Sequence, residues 1–121
     1  MEPSEAIAIA GILVEVANSI GGLVRSALST ETIEENKQAF QNSSISYHDK
    51  VRKLLYEEKG SPRKLAEEIH KDRIFCYYAR DDNVQEIIRA LIFVDERRGT
   101  KTERRRILQN LLHVFERARV R

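Results

Sequence analysis

Apolar residues in this chain recur at helical spacing almost throughout, and at strand spacing almost nowhere. That periodicity limits the available folds more than any other feature. Ile9, Ile12, Leu13, Val16, Ile20, Leu23 and Val24 share one arc of a helix from about Glu5 to Leu28, with Ser4 as its cap. Ile33, Phe40, Tyr47 and Leu54 recur every seven residues, with Val51 and Leu55 alongside. No Asn-Gly or Asp-Gly hairpin turn interrupts the pattern. The exception is Ile74 to Tyr78, rich in strand formers; without a partner strand it reads as the end of a helix.

Cap signals divide this pattern. Thr30 or Thr32 opens the second segment, with Thr32 and Glu35 at capping-box spacing. Asn42-Ser43-Ser44 predicts a break within it, because these side chains bond their own backbone in preference to the helix ladder. Gly60 ends the segment. Ser61-Pro62 starts a helix to about Tyr78, burying Leu65, Ala66 and Ile69. Asp82 or Asn83, with Glu86, starts another, burying Val84, Ile87, Ile88, Leu91 and Ile92 and stopping near Gly99. Thr100 and Glu103 form a capping box for the last, which buries Ile107, Leu108, Leu111, Leu112, Phe115 and Ala118. The expected fold is all-α: a compact bundle of five or six helices. Residues 1–121 form a single domain with a basic C-terminal helix over about 100–121.

The charges are unevenly placed. Arg97 to Arg121 carry nine arginines and lysines against two glutamates, a net of +7, while the remaining 96 residues carry 12 basic and 17 acidic side chains, a net of −5. This polarity points to an anionic partner at the C-terminal end, or to pairing between copies. Arg104, Arg105 and Arg106 fall in the first turn of the last helix, where the dipole disfavours cations. Arg106, Asn110, His113 and Arg117 step by four, three and four along its polar side, facing solvent. These six residues are the expected anion- or partner-binding set. Arg98, Lys101 and Arg119 extend the positive surface. Aromatic residues do not interleave with the basic ones, as they do in many single-strand binders.

Arg106-x6-His113 resembles the Arg-x4–6-His signature of HEPN-domain ribonucleases. Those are small all-helical domains in which paired motifs across a dimer cleave RNA. The resemblance implies proton transfer by His113 and phosphate holding by Arg106. It covers two residues and a fold class, and Arg63-x6-His70 matches equally well.

Other chemistries lack their parts. Glu67-x-x-His70 has di-iron half-site spacing, but no second copy exists. One cysteine, Cys76, and three scattered histidines offer no zinc pattern. The lone thiol fits a reducing compartment. Met1-Glu2-Pro3-Ser4-Glu5 is acidic where a signal peptide is basic, so the expected location is cytoplasmic. No metal, cofactor or catalytic set is expected. Ile7 to Val24 is apolar enough to approach a membrane span, but Glu15, Asn18 and Arg25 on one side favour a bundle helix. Ala10, Ala17 and Gly21 form a strip of small residues that invites a close neighbour, and self-association is expected there. The sequence-level reading is a non-enzymatic interaction or assembly module, a homo-oligomer. It engages an acidic protein surface through its basic last helix, with nucleic acid as the alternative ligand and the membrane unlikely.

Overall fold

A computed structural model describes residues 4–28 and 33–119. Among these, the chain forms six helices and no strand: α1 (Glu5–Ala27), α2 (Glu34–Tyr56), α3 (Pro62–Lys71), α4 (Arg73–Ala79), α5 (Asp81–Asp95) and α6 (Lys101–Ala118). The all-α bundle read from periodicity is what the chain adopts. The expected start at Thr30 or Thr32 lies outside the described residues; within them, α2 begins at Glu34 with Ile33 as an uncapped first residue.

α1 is the central helix. Ile9, Leu13, Val16, Ile20 and Val24 are buried, and the Ser4 hydroxyl caps its start by accepting from the Ile7 N–H. The helix runs unbroken through Gly21-Gly22. On one side α1 packs most extensively against α6, running in the same direction: Ser4 meets Glu103, Ala10 meets Asn110 and Gly21 meets Arg117. On the other side it runs antiparallel to α5, where Ser19 meets Asn83 and Glu5 meets Arg89. α2 covers α6 in the opposite direction: Tyr47 meets Phe115 toward the end of α6, while Glu58, just past the end of α2, meets Lys101 at its start. Phe40, Tyr47, Phe75 and Phe115 make one aromatic cluster, with Phe40 and Phe75 stacked at 5.2 Å.

Three boundaries differ from the sequence reading. α2 is one unbroken helix through Asn42-Ser43-Ser44. The Ser44 hydroxyl donates to the Phe40 carbonyl within the helix, the Ser43 hydroxyl donates to Asp72, and Asn42 accepts from Gln38. The polar side chains thus find partners without leaving the ladder. Conversely, the expected single helix over Ser61 to Tyr78 is divided at Asp72, whose extended backbone (ψ 90°) ends α3 and starts α4. Its carboxylate caps α4 by accepting from the Phe75 N–H and also takes the Ser43 and Tyr47 hydroxyls. Finally, Asn83 does not cap α5. The helix begins at Asp81, and the buried Asn83 amide donates to the Ala79 carbonyl and the Ser19 hydroxyl.

α1 is the one helix among the described residues long and apolar enough to cross a membrane, over Glu5–Ser26. Its large side chains are mostly turned into the bundle core.

Candidate functional site

The C-terminal cations do not form one surface, and each is placed by its own local geometry. Arg98 is bound to Glu5 and lies over the Phe93 ring at 5.2 Å. Arg104 Nη1 lies 3.1, 3.1 and 2.6 Å from the carbonyl oxygens of Arg97, Arg98 and Gly99. It therefore closes the turn between α5 and α6, satisfying carbonyls that follow the α5 end. This use of Nη1 explains a cation in an unfavourable first turn. Thr100 and Glu103 complete the capping box there, and the Ser4 hydroxyl also donates to Glu103. These hydrogen bonds, the Thr100 N–H first, hold the Glu103 carboxyl below the usual carboxylate range.

The expected solvent stripe along α6 is corrected. Asn110 donates to the Ala10 carbonyl at 2.9 Å, and Arg117 is half-buried over Gly21 with its Nε enclosed and unpartnered. Both face α1. Arg106 and His113 are exposed; His113 Nδ1 lies 3.8 Å from Glu116, whose other oxygen is 3.6 Å from His48 Nε2. Ala10, Ala17 and Gly21 are buried against α6 of the same chain. The small strip gives close approach, as its residue sizes imply, but its neighbour is intramolecular. It presents no free surface to a second copy.

Arg105 points elsewhere. With Lys101 and Leu108 it forms the opposite edge of α6, over a groove of about 600 Å³ between the ends of α2, α3 and α5. Leu54, Val94 and Leu108 supply an apolar floor, and Arg97, Lys101 and Arg105 line the groove above it. Two acids also line it. Asp95 is consumed by Arg63, taking its backbone N–H at 3.3 Å and its Nε at 3.1 Å. Glu58 touches Lys101 only at 3.8 Å, with both side chains exposed. Such a pair contributes little. Arg97 and Arg105 have no charged partner among the described residues.

Arg97 is the residue sequence reasoning missed. Its φ of 54° is left-handed, at the position after the α5 cap where glycine is usual. The Arg98 N–H donates to the Phe93 carbonyl and the Arg97 N–H to that of Val94, the hydrogen bonds of a Schellman ending. An arginine there costs roughly 1 kcal/mol that a glycine would not. Gly99 marked a turn in the sequence, but nothing marked Arg97 as its left-handed residue.

Cys76 is half-buried, its thiol donating to the Ile69 carbonyl at 3.2 Å, and burial pushes its pKa up. No group of three metal-ligating side chains occurs among the described residues. No protein-family model matches the chain, and no curated protein or solved structure matches it.

Proposed function

We propose that this protein is a non-enzymatic helical interaction module that binds an acidic segment of a partner protein in the groove beside Arg97, Lys101 and Arg105. The observation that carries this is the pairing of two uncompensated arginines with an apolar floor of Leu54, Val94 and Leu108. A segment alternating acids with aliphatic side chains satisfies both halves. The cations set orientation and speed encounter, while the burial of aliphatic groups supplies affinity. A nucleic-acid backbone satisfies only the cations. The groove lining also offers no aromatic face for stacking bases. A reducing, cytoplasmic setting fits the single thiol of Cys76.

The test is a fluorescence-anisotropy titration of a labelled peptide alternating Glu and Leu, beside single-stranded DNA, double-stranded DNA and RNA. The peptide is expected to bind, with affinity falling as salt rises. The double reversal Arg97→Glu/Arg105→Glu is expected to weaken it at least about tenfold, the equivalent of 1.4 kcal/mol. Tighter binding of nucleic acid, lost in the same variant, would move the assignment to the alternative ligand.

A further inference from the structure

A second groove, of about 330 Å³, adjoins the first at the turn from α2 to α3. Leu54, Gly60 and Ser61 line both, so the two are contiguous. Leu54 and Leu65 form the floor of the second, and Lys50, Lys53, Lys59 and Lys64 surround it with one acid, Glu68, a net of +3. Glu68 is taken by Lys50 at 2.7 and 2.8 Å. Lys53 shares the Asp49 carboxylate with Arg52. Lys59 reaches Glu57 only at 3.8 Å, both side chains being exposed. Lys64 has no charged partner among the described residues. The first groove carries the same sign: Arg97, Lys101, Arg104 and Arg105 line it against Glu58 and Asp95, a net of +2. The start of α3 adds no free donor from its first turn, since Pro62 has no N–H, the Arg63 N–H goes to Asp95 and the Lys64 N–H to the Ser61 hydroxyl. Gly60 takes φ 101°, a conformation that suits glycine, and a Cβ there would stand 3.7 Å from Leu54 Cδ2, on the floor the two grooves share.

We infer that the lysine groove is a second subsite for the same acidic segment, an inference that rests on the binding reading proposed for the first groove. One aliphatic side chain of the partner seats over Leu54, Val94 and Leu108, and another, further along the segment, over Leu54 and Leu65. Its acids meet Arg97 and Arg105 in the first groove and Lys59 and Lys64 in the second. The aliphatic stems of the lysines add apolar wall to a floor of two leucines. A segment that spans both grooves engages the second at high effective concentration once the first is filled. The partner is thereby narrowed from any acidic amphipathic segment to one with two aliphatic clusters. Charge counting along the chain concealed this site, because its four lysines fall in the part whose net charge is negative.

The experiment is fluorescence anisotropy on the full chain with three peptides: a short one alternating Glu and Leu, one of doubled length, and one whose added half alternates Glu and Ser. Wild type is expected to bind the doubled Glu–Leu peptide at least about tenfold more tightly than the short one, and the Glu–Ser extension to recover little of that gain. In Lys59→Ala/Lys64→Ala the gain should vanish while the short peptide binds as before. Both lysines are exposed, and circular dichroism melts check that the variant is folded. A doubled peptide that binds no tighter than the short one, or a gain that survives in the lysine variant, would overturn the inference. So would a Glu–Ser extension as effective as the Glu–Leu one, which would show a positive field without an apolar seat. In each of these cases the first groove stands if the short peptide binds and is lost in Arg97→Glu/Arg105→Glu. A short peptide that fails to bind wild type, or that ignores that double reversal, would overturn the reading of the first groove and the subsite with it.

Discussion

Gly21 of α1 lies under the guanidinium of Arg117 of α6, so that a Cβ on Gly21 would fall 2.5 Å from Nη2 and 2.7 Å from Nε. The contact fixes the level at which the two parallel helices meet and leaves Arg117 Nε enclosed without a hydrogen-bond partner. Gly21→Leu should expel Arg117 and destabilise the fold by about 1–3 kcal/mol despite the better helix propensity of leucine. Shortening the arginine in the same chain, Gly21→Leu/Arg117→Ala, should recover part of that loss. Urea unfolding of the two variants checks this; equal stability of Gly21→Leu and wild type would show that the arginine simply swings away.

The Tyr47 hydroxyl donates to Asp72 at 2.5 Å, binding the middle of α2 to the α3–α4 corner. Burial, then the hydrogen bond and charge of Asp72, raises the Tyr47 pKa well above the ordinary phenol range. The folded state therefore holds this proton more tightly than the unfolded chain. The resulting stability is fully present below the unfolded pKa of about 10 and declines above it, where only the unfolded chain ionises. Tyr47→Phe should lose about 1.5–3 kcal/mol at neutral pH, since it removes a hydrogen bond to a charged group. It should also abolish this alkaline component, as thermal melts on either side of pH ~10 would reveal.

At the acid end the sign reverses. Glu103 has its pKa lowered from 4.5 by the Thr100 N–H and the Ser4 hydroxyl. Its contribution is present above that value and is lost as pH falls through the lower folded value. Glu103→Gln should flatten the melting-temperature profile across that window, and Ser4→Ala should move the Glu103 carboxyl titration, followed by NMR, upward. An unchanged titration in Ser4→Ala would remove the Ser4 hydroxyl as a cause.

How far these relationships were legible in the sequence depended on the range of the interaction. The helices followed from periodicity, and Ser4, Ser61 and Thr100 followed from cap chemistry, because a cap is decided within three or four residues. Ser44 and Asn83 went astray because their hydrogen-bond partners inside the fold were unknown: a serine that bonds the preceding turn stays helical, and an asparagine supplied by Ser19 is buried. The division at Asp72 depended on Ser43 and Tyr47, more than twenty residues away. The basic end was legible as charge. Its assignment to two faces was not, since Arg104 is spent on turn carbonyls and Arg117 on a glycine of another helix.

Arg97 offers a test that separates binding from folding. Because its left-handed backbone suits glycine, Arg97→Gly should leave the fold equally stable or stabilise it by about 0.5–1 kcal/mol, while weakening the acidic peptide. Chemical denaturation and peptide titration on one preparation measure both. A destabilised variant would mean that the arginine side chain supports the α5–α6 turn.

The groove itself is tested most directly by titrating isotopically labelled protein with the acidic amphipathic peptide and following backbone amide shifts residue by residue. Binding in the groove predicts the largest changes at Arg97, Lys101, Arg105 and Leu108, with Leu54 and Val94 following, all lost in Arg97→Glu/Arg105→Glu. Changes centred instead on Arg106 and His113, surviving that double reversal, would contradict it.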